Sequence, residues 1–309
     1  MSFRSLAVRV AAEVCRLISQ LLVRRRPELE LCLDIKTGPL YSAISGCSPC
    51  TLAGEEKDHD RLRWSQDLLL GCVCDGVGTS PCAAEAAEHV VRNINALLSS
   101  PTADPNPHLL RVCGELLGYR EALQGRPIIF PDAVSPALWP LLTEAVEAKR
   151  LKAYQTTFVA LRIFPRANED HLVRLGWCGD TGLFSFDSDG QLYWSNLAKS
   201  SDWKEKSVVT DSLPDAVDRV IWRDFTLRDS DDDLKERQFL PPHAEFLMAT
   251  DGFYSAFTDF AEVTEWLRAN RQKFQAEDSR DQLFHNLHEM LALTSGDDDI
   301  SFIWITPEL

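Results

Sequence analysis

From residue 157 to residue 196 the sequence keeps to strands. The runs 157–164, 171–178, 182–187 and 191–196 are rich in apolar, β-branched and aromatic residues, and Asp187-Ser188-Asp189-Gly190 reads as the turn between the last two. Four such runs with no helical stretch among them predict an antiparallel meander. Helical patterns gather before and after it, at 83–98, 108–123, 136–152, 260–271 and 279–293. Further strand-like runs fall at 29–35, 40–44, 68–74, 219–222, 245–249 and 300–305. Strands and helices segregated in this way predict an α+β fold, with antiparallel sheets covered by helices, and speak against alternating βαβ units.

The 309 residues suffice for a substantial core, and the span from about 43 onward reads as one domain, 43–309. Within it a helical segment, 101–153, and a charged stretch, 199–238, are expected to lie at the surface. Residues 1–42 form a separate lead-in of an amphipathic helix and a strand. In that helix Leu6, Val10, Val14, Leu17 and Leu21 recur at helical spacing, and Arg9, Glu13, Arg16 and Gln20 form the opposite stripe. Packing on the domain is the expectation, with an organellar transit peptide as the alternative. Arg9, Glu13 and Arg16 also interrupt the one stretch apolar enough to suggest a transmembrane span.

Forty-seven acidic residues against 32 basic ones give a net charge of −15. Nucleic acid and anionic membranes both require a positive footprint, so neither is an expected partner. Nine scattered cysteines in a chain of this size point to reduced thiols in a cytoplasm. Cys47-x-x-Cys50 followed by Cys72-x-Cys74 invites a zinc reading, but Cys72 and Cys74 alternate within an apolar run and are expected to be small core residues. His285 and His288 fall largely off the apolar face of their helix and read as solvated.

The chemistry is concentrated where strands stop. The run ending Cys74-Asp75-Gly76-Val77-Gly78 and the run ending Ala249-Thr250-Asp251-Gly252 both close on Asp-Gly, and Asp297-Asp298-Asp299 precedes the strand-like run at 300–305. A carboxylate on a rigid strand end, followed by a glycine whose carbonyl is open, suits a hard cation such as Mg²⁺ or Mn²⁺. For any one of these sites taken alone, a turn or a solvated loop is the simpler reading. Thr156 and Thr157 read as strand residues, because no histidine stands as a base beside them. No glycine-rich phosphate loop followed by Lys and no Gly-x-Gly-x-x-Gly fingerprint is present.

With Gly179-Asp180-Thr181 added, five elements in order resemble those of the metal-dependent serine/threonine protein phosphatases, the PPM or type 2C family, in its bacterial-type form. They are Cys74-Asp75-Gly76-Val77-Gly78 with the Ala-rich stretch Ala83-Ala84-Glu85-Ala86-Ala87, then Gln155-Thr156-Thr157, Trp177-Cys178-Gly179-Asp180-Thr181, Ala249-Thr250-Asp251-Gly252, and Asp298-Asp299-Ile300-Ser301. The resemblance implies a four-layer α-β-β-α sandwich carrying two Mg²⁺ or Mn²⁺ ions and a weaker third. It implies that Asp75 bridges two ions, the Gly76 carbonyl binds one, Asp251 and Asp298 bind the other, and Asp180 helps hold the third. It also implies a phosphoprotein substrate, the target of a cognate Ser/Thr kinase.

The family's first motif is best placed at His59-Asp60, with Asp58 as the alternative, so His59 stands where many members have a metal ligand. Ser255 replaces an Asp that some members use, and the upstream phosphate-gripping Arg has no clear counterpart beyond Lys57 or Arg61. Asp75, Asp251, Asp298 and Asp60 are therefore the expected catalytic residues of a phosphoserine/phosphothreonine protein phosphatase. The alternatives are a phosphatase-like module that binds a phosphoprotein or partner with little catalysis, and a phosphatase of small phosphorylated metabolites.

Overall fold

A computed structural model describes residues 32–48, 50–52, 55–57, 59–130, 135–166, 170–197, 211–228, 239–254, 257, 259–275, 282, 285–286 and 299–307. The expected N-terminal helix, residues 199–210 and 229–238 of the charged stretch, and most of 279–293 lie outside them.

In chain order the strands are β1 (Cys32–Lys36), β2 (Tyr41–Ser48), β3 (Cys50–Leu52), β4 (Glu55–Lys57), β5 (Arg61–Ser65) and β6 (Leu70–Gly76). Three helices follow: α1 (Ala83–Leu97), α2 (Asn106–Gln124) and, after a 3-10 turn, α3 (Trp139–Arg150). Then come β7 (Thr156–Phe164), β8 (His171–Cys178), β9 (Gly182–Phe186), β10 (Leu192–Ser195), β11 (Ile221–Leu227), β12 (Phe239–Leu240) and β13 (Glu245–Ala249). The short α4 (Asp251–Tyr254), α5 (Phe260–Gln275) and β14 (Ile300–Pro307) complete the order.

Two six-stranded sheets form, ordered β1-β2-β14-β13-β9-β10 and β12-β11-β8-β7-β6-β5, beside a small β3-β4 ribbon, so the expected four-strand meander is split: β7 and β8 pair in one sheet, and the chain crosses at 179–181 to pair β9 and β10 in the other. Pairing is antiparallel except between β11 and β12, which run parallel, so the second sheet departs at its edge from the expected all-antiparallel pattern. The sheets stack face to face. Val73, Val159, Leu161, Val173 and Leu175 of one meet Phe246, Met248, Ile303 and Ile305 of the other.

The alternate residues point outward under helices. Cys72, Cys74, Phe158 and Ala160 lie beneath Ala86, Ala87, Val90 and Ile94 of α1, with Leu109, Val112 and Leu116 of α2 in the same cluster. On the other side Leu247, Phe302 and Trp304 pack with Phe253, Val263 and Leu267 of α4 and α5. The result is the expected four-layer α-β-β-α sandwich. Both faces of each sheet are covered, which is why β7, β13 and β14 read as nearly unbroken apolar runs. The alanines at the start of α1 let its backbone approach β6 closely.

Strand β5 was not expected from the sequence: two of the five residues in Arg-Leu-Arg-Trp-Ser are charged, and its edge position leaves those arginines partly exposed. Strand β11 runs to Leu227, well past the expected 222, because Asp224 in its middle pairs with Arg174 of β8 at 2.7 and 2.8 Å. The Asp187–Gly190 turn forms as anticipated, closed by Gly190 N–H to Asp187 O at 2.9 Å with Gly190 at φ 73°. Among the described residues no helix is long and apolar enough to cross a membrane.

Candidate functional site

Strand register delivers the carboxylates to one end of the sandwich. Arg61 pairs with Cys74 in β5–β6, so the next rung sets Asp60 beside Asp75. On the other side of β6, Thr157 pairs with Asp75 and Thr156 with Gly76. In the facing sheet Ala249 pairs with both Gly182 and Phe302. Asp180, two residues before Gly182, Asp251, two after Ala249, and Asp299, at the start of β14, therefore leave that sheet at the same end.

A chain of contacts ties these strand ends together. Thr156 Oγ1 donates to the Asp75 carbonyl at 2.8 Å and Thr157 Oγ1 approaches the same oxygen at 3.5 Å. Thr157 Oγ1 meets Thr181 Oγ1 at 2.5 Å, joining the two sheets. Next to Thr181, the Asp180 carbonyl accepts from the Tyr254 hydroxyl at 2.8 Å, and Tyr254 is the last residue of the helix that Asp251 begins. Thr250 Oγ1 accepts from Ser301 N–H at 3.0 Å and reaches the Asp299 carbonyl at 3.5 Å. Asp299 Oδ2 accepts from the His59 N–H at 2.6 Å. Gly76 lies against the His59 segment and the start of α1: an added Cβ would stand 2.6 Å from the His59 carbonyl oxygen and 2.9 Å from the Ala83 carbonyl carbon.

Both atoms crowding Gly76 are backbone, so no side-chain movement can relieve a larger residue. Gly76→Ala should cost about 1–3 kcal/mol and displace the Asp75 peptide, which denaturant unfolding would register as a loss of stability. Gly179 is constrained similarly: its φ is +88°, and a Cβ there would meet the Asp211 carbonyl oxygen at 2.7 Å.

Asp60 and Asp299 are buried, whereas Asp75, Asp180 and Asp251 are half-buried. The nearby Cys74 thiol is pushed well above the usual range, first by burial, then by its contact with Cys72, and further by the charges of Asp60 and Asp75. Cys72 and Cys74 lie in the core with their sulfurs 3.6 Å apart, as small apolar residues do. Thr156 and Thr157 are buried strand residues, as expected, and their hydroxyls orient the Asp75 peptide. His285 is exposed.

Asp60, Asp75, Gly76, Asp180 and Asp251 are thus brought to one edge, whereas Asp298 lies outside the described residues, as do Asp58, Ser255 and His288. Among the described residues no three His, Cys, Asp or Glu side chains form a group that holds an ion by itself. The donors at the edge are carboxylate and carbonyl oxygens, a set that fits a hard divalent cation completed by water. Sequence reasoning did not single out Asp299, Thr181 or Tyr254. For Asp299 the available signal was its place directly before the first residue of β14.

No protein-family model matches the chain, and no curated protein matches it significantly. Solved structures do. PppA, a key regulatory component of the T6SS in Pseudomonas aeruginosa, superposes with a TM-score of 0.55 at 15% identity over 87% of this chain and 99% of its own. The PPM Ser-Thr phosphatase MsPP from Mycobacterium smegmatis, in complex with cacodylate, gives 0.52 at 17% identity over 85% and 97%. The catalytic domain of the serine/threonine protein phosphatase PstP, in complex with two manganese ions, gives 0.52 at 13% identity over 87% and 98%. At such identities the likeness establishes the fold, and the fold is that of the PPM-type phosphatases.

Proposed function

We propose that this chain, built on the PPM-type fold, is a metal-dependent phosphatase that hydrolyses phosphoserine and phosphothreonine in proteins. The observation that carries the reading is the chain of contacts running through Asp75, Thr157, Thr181, Tyr254, Thr250, Asp299 and His59, which gathers oxygen donors from both sheets at one edge. Asp75, the Gly76 carbonyl, Asp251 and Asp298 would hold two Mg²⁺ or Mn²⁺ ions, with Asp180 contributing to a weaker third. Such ions supply Lewis acidity, lowering the pKa of water and neutralising charge on a phosphoryl group.

The chain's own part is positional. Thr156 and Thr157 fix the peptide that carries Asp75, and Tyr254 fixes the main chain at Asp180. Asp299 holds the His59 N–H and with it the segment that sets Asp60 beside Asp75. Rigid placement of donors before substrate arrives removes reorganisation from the reaction itself. The neighbours PstP and MsPP are serine/threonine phosphatases, which supports a phosphoserine or phosphothreonine substrate.

Release of phosphate from a phosphothreonine peptide, measured with Mn²⁺, with Mg²⁺ and with chelator, tests the reading. Metal-dependent release that exceeds release from a panel of phosphorylated metabolites is the expected result. A preference for the metabolites would transfer the chemistry to small substrates. No release from folded, metal-supplied protein would favour a second reading, a phosphoprotein-binding module, for which His59, standing by the resemblance where many members have a metal ligand, is the specific observation.

A further inference from the structure

Beside the metal edge lies a second polar assembly that joins helix α2 to the strand carrying the threonines. Arg120, on α2, is buried and engages all three guanidinium nitrogens. Nε donates to the Ala153 carbonyl at 2.8 Å, and the two terminal nitrogens donate to Asp215 Oδ1 and Oδ2 at 2.6 and 3.0 Å. Asp215 Oδ2 also accepts from Gln155 Nε2 at 2.7 Å. The Gln155 backbone then fastens the turn after β6: its carbonyl accepts from Val77 N–H at 3.2 Å, and its N–H donates to Ser80 Oγ at 3.0 Å. The next residue, Thr156, exchanges backbone hydrogen bonds with Leu213 at 3.1 and 2.8 Å and donates its hydroxyl to Asp75 O.

We propose that Arg120, Asp215 and Gln155 are positioning residues that let helix α2 set the affinity of the Asp75–Gly76 edge for divalent cations. The inference rests on the metal-dependent reading of that edge. A two-pronged ion pair fixes Asp215 in direction as well as distance. Asp215 in turn fixes Gln155, whose main chain is bonded to Val77, two residues from Asp75. Outer hydrogen-bond partners of metal ligands commonly change metal affinity by tenfold or more when removed.

The molecule contains its own control. Arg174 and Asp224 form a second two-pronged pair, with side-chain exposures of 9% and 44%, the same as those of Arg120 and Asp215. Arg174 also binds the carbonyls of Ser100, Pro101 and Ala103, beyond the end of α1 remote from the edge. Helix α1 begins near Gly76 and spans about 20 Å at 1.5 Å per residue. Asp215→Asn and Asp224→Asn should therefore destabilise the fold alike, yet differ in metal binding.

The experiment is calorimetric titration of Mn²⁺ into wild type, Asp215→Asn, Asp224→Asn and Gln155→Met, at a temperature where circular dichroism finds each folded. About tenfold or greater weakening in Asp215→Asn, a smaller weakening in Gln155→Met, and wild-type affinity in Asp224→Asn are expected. Should Asp215→Asn fail to fold, Gln155→Met decides, since it removes one donor and leaves the main chain intact. Wild-type affinity in the Asp215 and Gln155 variants, or equal weakening in the Asp215 and Asp224 variants, would overturn the positioning role alone. Failure of the wild type itself to bind Mn²⁺ would overturn both that role and the metal-dependent reading.

Discussion

Asp75→Asn, and separately Asp251→Asn, should reduce Mn²⁺-dependent phosphopeptide hydrolysis by on the order of 10³-fold while leaving the protein folded. The metal-free Asp75→Asn protein should melt no lower than the metal-free wild type. Asp60 and Asp75 flank the Arg61–Cys74 rung and both charges act on the Cys74 thiol, so neutralising one of two neighbouring carboxylates should relieve repulsion rather than remove a stabilising contact. What the variant loses is stabilisation by added Mn²⁺, which in the wild type should reach about 2.7 kcal/mol at a hundred times the dissociation constant. Thermal melts with and without Mn²⁺, run beside the peptide assay, check both halves. Unchanged turnover in either variant would remove the assignment of the site.

The largest expected effect on folding lies away from the site, under α5. Glu245 begins β13 with 3% of its side chain exposed, and Arg271 of α5 meets it at 2.5 Å. Burial raises the Glu245 pKa, and the hydrogen bond and charge of Arg271, with a hydrogen bond from Trp304, offset part of the rise. Arg271 also donates to the carbonyls of Ser188 and Asp187, and so anchors the β9–β10 turn. Arg271→Met leaves a buried carboxylate without its cation and should cost about 3–5 kcal/mol. The pH dependence follows from the sign of the shift. A carboxyl whose folded pKa is raised is tolerated best when protonated, so its contribution is most favourable in acid and declines as pH rises through the raised value. The deficit of Arg271→Met should therefore shrink in mild acid, and Glu245→Gln in the same chain should recover a large part of it. Urea unfolding on the acid and alkaline sides of neutrality would measure both, and a deficit independent of pH would mean that packing, not charge, is what Arg271 supplies.

Linkage makes a milder claim for Asp215. Burial raises its pKa, but hydrogen bonds from Arg120 and Gln155 and the Arg120 charge outweigh that and hold it below the usual 3.8. A depressed carboxyl contributes stability above its unfolded pKa and loses it as pH falls through the lower folded value. The attachment of α2 to the Asp75–Gly76 edge should thus hold across neutral pH and loosen only in strong acid.

Local pattern made most elements legible before the fold was known. Strands His171–Cys178 and Glu245–Ala249 fall where alternation and apolar runs place them, and α1 is bounded by Pro81 and by Ser99-Ser100-Pro101, which cannot easily extend a helix. What pattern could not supply was pairing. Asp224 looks like surface charge until Arg174 is set opposite it, and Arg-Leu-Arg-Trp-Ser looks like loop until β6 receives it as an edge. The same limit applied at the site. The Asp-Gly endings were conspicuous one by one, but that Asp60 stands beside Asp75, or that Thr157 touches Thr181 of the other sheet, is a fact of register and stacking. Asp299 was hidden by its neighbours: three aspartates in a row give no indication of which one turns toward His59.

Strand β14 lies between β2 and β13 in the middle of its sheet, although nearly the whole domain precedes it in sequence. A ribosome adding roughly 5–20 residues per second makes Asp75 some ten to forty-five seconds before Asp299. Until the end of that interval β2 has no β14 beside it, β13, made only about fifty residues before Asp299, has none either, and the contacts that gather the carboxylates are incomplete. A nascent chain, or one cut ahead of residue 299, is thus expected to be inert, so that any phosphatase activity appears only once β14 has been made and inserted.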